Sequence, residues 1–220
     1  MIPRVRTAVL ISGRGSNMSA LIEAARSPSF SAEVVLVLSD EPTAAGLAVA
    51  RKAGIAAESL DFRTYPGKET FEAALDARLR AACIEIVCLA GFMRILSPPF
   101  VERWKGRMLN IHPSLLPNLR GLHTHQRALD QGLAEHGCTV HFVAAELDAG
   151  PIVAQARVRV LLGDDADALA ARVLDEEHRI YPEALNAVAR SLRAARAPDT
   201  QPRLAERGNC INMAARAEES

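Results

Sequence analysis

Short apolar segments alternate with stretches of helical periodicity through the first half of the chain, and this alternation restricts the fold more than any other feature. The apolar segments are candidate strands: 5–11, 34–38, 56–60, 85–90 and 108–111. The periodic stretches between them are candidate helices: 16–26, 43–53 and 69–82. Strands that are apolar throughout belong to sheets covered on both faces, and regular alternation with helices indicates parallel connections. The sequence therefore predicts an α/β fold, a mostly parallel twisted sheet with helices on both faces.

The second half of the chain follows a different pattern. Two longer runs, 138–146 and 152–160, flank a turn, which predicts an antiparallel hairpin at one edge of the sheet. Residues 165–193 have the periodicity of a long amphipathic C-terminal helix, with a bend expected near Pro182. The segment 197–220 lacks a periodic apolar face. We therefore expect a single domain over residues 1–196, followed by a disordered tail over 197–220.

Charge and cysteine content restrict the partners and the compartment. The 220 residues include 26 basic and 26 acidic side chains, so neither nucleic acid nor an anionic membrane is an expected partner. The apolar run near the N-terminus is too short for a signal peptide, and no segment approaches the ~20 apolar residues of a membrane span. Cys83, Cys88, Cys138 and Cys210 have neither metal-ligand nor redox spacing. We expect a reducing, cytoplasmic setting.

The loop between the first candidate strand and the first candidate helix is rich in small residues, Gly13-Arg14-Gly15-Ser16-Asn17. Backbone amides at a helix N-terminus bind anions, and glycine allows a phosphate to come close. The dinucleotide pattern lacks its third glycine, where Met18 stands, and no P-loop Lys follows. A monophosphate site and a tight turn capped by Ser16 both fit this loop.

Asn110 and His112 lie two residues apart at the end of a candidate strand. Such side chains share one face of the strand, and open α/β sheets bind ligands at the carboxyl ends of their strands. An amide beside an imidazole suits a reaction with an oxyanion, with Asn110 as hydrogen-bond donor and His112 as general acid. A partly buried histidine next to a loop is the alternative interpretation.

Other segments carry weaker signals. Asp148 lies among ordinary turn residues, and the run 89–96 fits either an apolar slot for a flat heterocycle or plain core and loop. Four histidines lack the spacing of a metal site: His123, His125, His136 and His141. With no G-x-S-x-G motif either, we expect neither a metal nor a serine nucleophile.

Taken together, these segments resemble the glycinamide ribonucleotide transformylases, a family of folate-dependent formyltransferases. The matching motifs are Ile11-Ser12-Gly13, Gly15-Ser16-Asn17, the run 89–97, the run 109–117, Gly121-Leu122-His123-Thr124-His125, Val140-His141-Phe142-Val143, Glu146-Leu147-Asp148, Glu177-His178 and Tyr181-Pro182. They occur in the family's order across about residues 5–190. The resemblance implies a Rossmann-like formyltransferase fold. It also implies transfer of a formyl group from 10-formyltetrahydrofolate, as co-substrate, to the amine of 5-phosphoribosylglycinamide (glycinamide ribonucleotide) in de novo purine biosynthesis.

The resemblance also implies roles for individual residues. Asn110, His112 and Asp148 would form the catalytic trio. Four residues would bind the glycinamide ribonucleotide: Gly15, Ser16, Asn17 and Glu177. The folate pocket would be lined by Lys68, Met93, Arg94, Ile95, Leu96, Asn110, Ala144, Ala145, Glu146, Leu147 and Asp148. No metal is implied, and the enzyme would be a monomer or homodimer.

Three positions depart from the family's pattern. Lys68 stands where an arginine usually contacts the folate, and a lysine cannot make a bidentate contact. Asn118 begins a loop that differs from the Lys-aromatic version associated with the family, and Leu174 stands where a polar residue could help hold the substrate. These departures bear on substrate affinity rather than on the type of reaction.

Three alternatives share some of these features. Formyltetrahydrofolate hydrolases share the trio but carry a preceding regulatory domain, and we expect no room for one before residue 5. Methionyl-tRNA formyltransferases add a C-terminal tRNA-binding domain, which we also do not expect here. A non-catalytic phosphometabolite-binding module would keep the loop 13–17 but would not need Asn110, His112 and Asp148 together.

Overall fold

The computed structural model describes residues 3–196, and a seven-stranded sheet lies at its centre. The strands are β1 (Val5–Ile11), β2 (Ala32–Ser39), β3 (Ala56–Ser59), β4 (Ile86–Leu89), β5 (Met108–His112), β6 (Glu135–Phe142) and β7 (Ile152–Arg159). Their order in space is β3-β2-β1-β4-β5-β6-β7. Neighbours among β1 to β5 are parallel, whereas β6 is antiparallel to β5 and to β7. The predicted α/β fold with an antiparallel edge hairpin is confirmed.

In the part of the chain that the structure describes, six α-helices connect and cover the strands. They are α1 (Ser16–Ala24), α2 (Ala45–Lys52), α3 (Lys68–Ala81), α4 (Pro98–Arg103), α5 (Thr124–Asp130) and α6 (Ala166–Arg196). Within residues 3–196, no helix is both long and apolar enough to cross a membrane. The segment 197–220, which we expected to be a disordered tail, lies outside the described residues.

Alternate residues of the central strands pack on opposite faces of the sheet. In β1, Val9 and Ile11 join the core that contains α1, α2, α5 and α6. Ala8 and Leu10 join the core that contains α3 and α4. All four side chains are buried. Because both faces of the sheet are covered, the central strands need apolar side chains on both sides, which explains their continuous apolar runs.

The strand order reverses beside β1. The chain leaves β1 toward β2 and β3 at one edge and returns to β4 on the other side of β1. The connections that follow β1 and β4 therefore lead in opposite directions across the sheet from its carboxyl edge. Open α/β sheets bind their ligands at such a reversal.

Three local predictions need correction. The sequence pattern did not predict α4 and α5, because helices of six and seven residues are too short to display a helical period. The strand predicted at 138–146 begins at Glu135 and ends at Phe142. It ends there because the chain turns back, so that the Phe142 amide donates to the Pro151 carbonyl oxygen at 2.9 Å.

The long helix α6 is attached to the centre of the sheet. Its buried Tyr181 hydroxyl donates to the carbonyl oxygens of Leu89 in β4 and Leu109 in β5, at 3.0 and 3.2 Å. Pro182 lies inside the helix, which continues on both sides of it. The bend near Pro182 stays a prediction.

Candidate active site

A cavity of about 770 Å³ opens at the carboxyl ends of β4 and β5. Its wall combines the start of α1, the loop after β4, the end of β5 with its following loop, the end of β6 with its following loop, and the middle of α6. Asn110, His112 and Asp148 all line this cavity. The structure thus brings together three residues that span almost forty positions of sequence.

His112 ends β5 with both ring nitrogens facing oxygen acceptors. Nε2 lies 3.0 Å from the carbonyl oxygen of Leu119, and Nδ1 lies 3.5 Å from Oδ2 of Asp148. Because a carbonyl oxygen only accepts hydrogen bonds, Nε2 carries a proton in this arrangement. A second proton on Nδ1 would turn its contact with the carboxylate into an ion pair. The doubly protonated imidazolium is therefore the form that satisfies both neighbours.

Asp148 reaches the cavity from the loop between β6 and β7. Its backbone has φ 51°, in the left-handed region that aspartate tolerates better than most residues. Oδ2 accepts a hydrogen bond from the Gly121 amide at 3.0 Å, and Oδ1 lies 3.7 Å from Nε2 of His141. The carboxylate is therefore held by the loop after β5 as well as by the histidines on the two strands.

Gly150 allows the loop that carries Asp148 to turn against the end of β6. A Cβ atom at this position would lie 1.8 Å from the carbonyl oxygen of Phe142, so a larger residue does not fit without moving the backbone. The position of Asp148, two residues earlier, depends on this close approach.

Asn110 faces His141 across the antiparallel pair of β5 and β6. The side-chain nitrogen Nδ2 of Asn110 lies 3.1 Å from Nε2 of His141, whose Nδ1 lies 2.9 Å from the Phe142 carbonyl oxygen. Burial lowers the pKa of His141, against the opposing effects of the Phe142 carbonyl and Asp148. The amide of Asn110 therefore has a buried neutral partner.

A second polar pair, Asn17 of α1 and Glu177 of α6, lies in another part of the cavity wall. Asn17 Nδ2 donates to Oε2 of Glu177 at 2.7 Å. Burial raises the pKa of Glu177, and the hydrogen bond from Asn17 opposes that shift. Oδ1 of Asn17 is buried and has no hydrogen-bond partner among residues 3–196. The pair thus offers acceptor oxygens to a ligand that carries hydroxyl or amino groups.

The loop predicted to hold a phosphate contributes one residue to the cavity wall. Gly15 is the N-cap of α1, with φ 76°, and Ser16 is the first residue of that helix. Of Gly15, Ser16 and Asn17, Asn17 alone lines the cavity. The alternative in which the Ser16 side chain caps the helix is wrong, because Gly15 holds the cap position without a side-chain hydrogen bond. The first amides of α1 lack intrahelical acceptors, as at any helix N-terminus.

The loop after β4 places apolar side chains at the cavity. Met93 and Ile95 are 67% and 68% exposed, and Leu147 from the loop after β6 is 51% exposed. All three line the cavity, as do Leu96, Ala144 and Ala145. Exposed apolar side chains that converge on one cavity suit a flat, partly apolar ligand.

A polar network attaches this loop to the end of β1. Arg94 Nε donates to Oδ2 of Asp40 at 2.6 Å, and its guanidinium lies 4.0 Å from the ring centre of Phe62. Asp40 Oδ1 accepts from the Ser12 hydroxyl at 2.6 Å, and the same hydroxyl oxygen accepts from the Met93 amide at 2.9 Å. The loops after β1 and β4 are therefore held together through Asp40.

Several predicted contact residues lie apart from the main cavity. Lys68 lines a smaller cavity of about 300 Å³, which also contains residues 93–96. Glu146 is outside both linings and pairs instead with Arg120. Asn118 and Leu174, two of the departures from the family pattern, are also outside both linings.

A histidine pair lies beside the cavity. Nε2 of His136 is 3.2 Å from Nδ1 of His125. Burial, with a smaller effect of the neighbouring histidines, lowers the pKa of His136 to about 4. In the part of the chain that the structure describes, no group of three or more His, Cys, Asp or Glu residues is arranged to hold a metal ion.

Sequence reasoning gave no role in the site to three residues that contact the predicted trio: Leu119, Gly121 and His141. His141 is a polar residue within a buried strand, which was the available signal, but its contact with Asn110 depends on the register of β5 and β6. Gly121 donates its amide to Asp148, but this contact depends on the path of the whole loop after β5. No local pattern in the sequence indicates that path.

Comparison with known proteins identifies relatives over most of the chain. A sequence profile described as formyl transferase matches residues 5–185. The phosphoribosylglycinamide formyltransferase of Escherichia coli (strain K12) is 49% identical over 174 residues, which are 79% of this chain and 82% of that protein. The trifunctional purine biosynthetic protein adenosine-3 of Bos taurus is 50% identical over 186 residues, which are 84% of this chain. The match spans only 18% of the length of that trifunctional protein.

Solved structures agree with these sequence matches. The crystal structure of phosphoribosylglycinamide formyltransferase from Brucella melitensis is 55% identical, with a TM-score of 0.82, over 84% of this chain and 96% of that one. Glycinamide ribonucleotide transformylase 1 from Symbiobacterium toebii is 46% identical, with a TM-score of 0.83, over 86% and 89% of the two chains. The chain therefore belongs to the formyl transferase family, within the group of the phosphoribosylglycinamide formyltransferases that its motifs had predicted.

Proposed function

We propose that this enzyme transfers the formyl group of 10-formyltetrahydrofolate to the amine of 5-phosphoribosylglycinamide, a step of de novo purine biosynthesis. The observation that carries the proposal is the convergence of Asn110, His112 and Asp148 on one cavity in a member of the formyl transferase family. The relatives from E. coli and B. melitensis carry the name of this activity.

The proposed reaction begins when the neutral substrate amine attacks the formyl carbon on N10 of the folate. The carbonyl oxygen becomes an oxyanion in a tetrahedral intermediate. The amine nitrogen then loses a proton, N10 gains one, and the bond between N10 and the formyl carbon breaks. Placing both substrates in one cavity removes much of the entropic barrier, so no covalent enzyme intermediate is required.

Asn110 and His112 are the groups proposed to stabilise the oxyanion. An amide N–H donates a hydrogen bond to the negative oxygen, and the imidazolium adds a positive charge in a site shielded from water. His112 is the general acid for the departing nitrogen. Asp148, 3.5 Å from Nδ1, stabilises the charged ring and lies beside the same cavity, where its carboxylate assists proton transfer.

Glu177 and Asn17 are proposed to bind the glycinamide ribonucleotide. Their acceptor oxygens suit the hydroxyl and amino groups of this substrate. Gly15 and Ser16 would bind its phosphate, because the N-terminus of α1 presents amides and the positive end of the helix dipole to an anion.

The folate is proposed to bind between the loops after β4 and β6. Met93, Ile95 and Leu147 supply apolar contacts for the heterocycle, together with Arg94, Leu96, Ala144 and Ala145 in the same wall. Lys68 is proposed to contact the other end of the folate through the smaller cavity, which shares residues 93–96 with the main one. Glu146 would act indirectly, through Arg120 on the loop after β5.

The cellular setting is also part of the proposal. The reaction as written uses no metal, and the balanced charge of the chain favours small-molecule substrates over nucleic acid or membrane. The buried Cys88 and Cys138, both free thiols, suit a reducing cytoplasm. We propose a cytoplasmic enzyme that works as a monomer or homodimer.

An absorbance assay of 10-formyltetrahydrofolate consumption tests the proposal. Consumption should require added glycinamide ribonucleotide. Equal consumption with and without the ribonucleotide would identify a hydrolase that releases formate. Binding of the ribonucleotide with no consumption would identify a non-catalytic binding module.

A further inference from the structure

A buried histidine outside the proposed trio faces the amide of Asn110. His141 is 2% exposed, and its Nε2 lies 3.1 Å from the side-chain nitrogen of Asn110. An asparagine side chain has one donor end and one acceptor end, so the role of its partner decides which end faces the reacting atoms. The tautomer of His141 therefore matters for the chemistry proposed above.

The backbone determines that tautomer. Nδ1 of His141 lies 2.9 Å from the carbonyl oxygen of Phe142, which only accepts hydrogen bonds, so Nδ1 carries a proton. In a neutral ring, Nε2 is then the unprotonated acceptor. The pKa of His141 is lowered by burial, which supports a neutral ring at pH 7.

An acceptor at Nε2 requires a donor on Asn110. Only the amide nitrogen supplies one, so Nδ2 rather than Oδ1 faces His141. The amide nitrogen has two hydrogens, and among residues 3–196 its only side-chain partner is His141. Asn110 also lines the cavity. The second N–H is thus left for a ligand oxygen.

We propose that His141 is a positioning residue, which holds the Asn110 amide so that one N–H points into the cavity toward the oxyanion. The proposal deepens the function given above and rests on it. His141 itself acts through Asn110. Without the acceptor at Nε2, the amide could rotate and present its carbonyl oxygen to the oxyanion, which would repel it.

Two charged groups bear on His141. Asp148, on the loop after β6, has Oδ1 3.7 Å from Nε2 and favours protonation of the ring. His112, on β5, opposes protonation when it is itself charged. A proton on Nε2 would set two donors against each other and release the Asn110 amide. A component of the activity should therefore be lost as the pH falls through the lowered pKa of His141.

Two substitutions separate positioning from packing. His141→Leu removes the acceptor and should lower kcat by about tenfold to a thousandfold, the range for loss of one oxyanion donor, while both KM values change little. His141→Gln restores an acceptor oxygen that does not titrate. It should therefore recover most of kcat, and the loss of activity at low pH that comes from protonation of His141 should disappear. Unchanged kcat in His141→Leu, or equal losses in both variants at equal melting temperature, would overturn the proposal.

The tautomer of His141 can be measured by NMR in the wild-type protein, with no substitution and no activity assay. In ¹⁵N-labelled wild-type protein, His141 should titrate as the Nδ1–H form, with Nε2 resonating as an unprotonated acceptor at neutral pH. An Nε2–H tautomer would overturn the proposal. If the tautomer is as expected but the wild type transfers no formyl group, the proposed function fails and the structural assignment of Asn110 does not.

Discussion

At the scale of single residues, the candidate site consists of pairs whose members come from distant parts of the chain. His112 pairs with Asp148, and Asn17 pairs with Glu177, 160 positions away. Each pair is buried, so removing one member leaves the other without compensation in a region of low dielectric. Substitutions in these pairs should therefore have large and distinct effects.

His112→Ala should lower kcat by roughly a hundredfold or more, because it removes the group proposed as general acid and oxyanion stabiliser. KM values should change less, because the loss is felt mainly in the transition state. Steady-state kinetics with both substrates measure the two effects. A rise in KM with kcat unchanged would assign His112 to binding instead.

Asp148→Asn should lower kcat more than it raises either KM. The substitution removes the negative charge 3.5 Å from Nδ1 of His112, so the imidazolium proposed for the transition state loses its counter-ion. Steady-state kinetics with both substrates measure the effect. An unchanged kcat would contradict the proposed pairing.

Glu177→Gln should raise the stability of the folded protein and weaken substrate binding. Burial raises the pKa of Glu177, so the folded protein keeps this proton to higher pH than the unfolded chain does. The ionised carboxylate therefore destabilises the fold, increasingly as the pH rises through that pKa. The neutral glutamine should raise Tm at neutral pH, and the gain should disappear in acid, where Glu177 is already protonated.

The same variant should bind glycinamide ribonucleotide more weakly. Loss of a charge-assisted hydrogen bond corresponds to a KM increase of about tenfold to a hundredfold. Thermal unfolding between neutral and acid pH, with KM for each substrate, tests both parts. A lower Tm at neutral pH, or an unchanged KM for the ribonucleotide, would contradict this role.

Part of the candidate site was predictable at this scale. Asn110 and His112 share a strand face by simple alternation, so their convergence followed from the sequence. Asp148 lies in an unremarkable turn, and only the family resemblance associated it with them. His141 and Gly121 required the register of β6 and the path of a loop, which are properties of the folded chain.

At the scale of elements, the loops after β1 and β4 act as one unit, because Asp40 contacts both Ser12 and Arg94. Asp40 is 6% exposed, so its ion pair with Arg94 is shielded from water on the carboxylate side. This network orients the loop that is proposed to contact the folate. It has no contact with the reacting groups.

Asp40→Asn should therefore raise KM for the folate and leave kcat nearly unchanged. The asparagine keeps an acceptor for the Ser12 hydroxyl but loses the charge that holds Arg94. A KM increase of about threefold to thirtyfold corresponds to a weakened buried hydrogen bond to a charged group. Glu41→Gln is the matched control, because Glu41 pairs with the exposed Arg63 at 3.3 Å. Equal effects of the two substitutions would contradict the role of Asp40.

Tyr181→Phe should loosen α6 from the sheet. The buried hydroxyl bonds to two strand carbonyls, and its loss should cost about 1–2 kcal/mol of unfolding free energy. That corresponds to a Tm decrease of about 2–8 °C for a chain of this size. Tyr65→Phe is the control, because the Tyr65 ring packs against Phe71 and its hydroxyl has no hydrogen bond within residues 3–196. Similar losses in both variants would contradict a specific attachment.

The elements were predictable in proportion to their length and regularity. The central strands have apolar runs because both their faces are buried, and β1 was predicted over its full observed range. In contrast, α4 begins with the Ser97 cap and two prolines, a start signal without a periodic helix to follow it. The start of β6 was also not predicted, because the polar residues Glu135 and His136 do not continue the apolar run of the predicted strand.

At the scale of the whole molecule, the reversal of strand order beside β1 determines where the candidate active site lies. It places β2 and β3 on one side of β1 and β4 and β5 on the other, and β5 supplies Asn110 and His112 at the carboxyl edge. The antiparallel β6 and β7 then bring Asp148 back toward that edge. One cavity is therefore lined both by α1 and α6, proposed to bind the ribonucleotide, and by the loops after β4 and β6, proposed to bind the folate.

The central claim is that the formyl group passes directly from the folate to the glycinamide amine in this cavity. The most direct measurement uses 10-formyltetrahydrofolate with a ¹³C-labelled formyl group, incubated with glycinamide ribonucleotide and analysed by mass spectrometry. We predict that the label appears in formylglycinamide ribonucleotide in equal amount to the folate consumed, and that His112→Ala forms the same product much more slowly. Label recovered as free formate, with the ribonucleotide unmodified, would contradict the account.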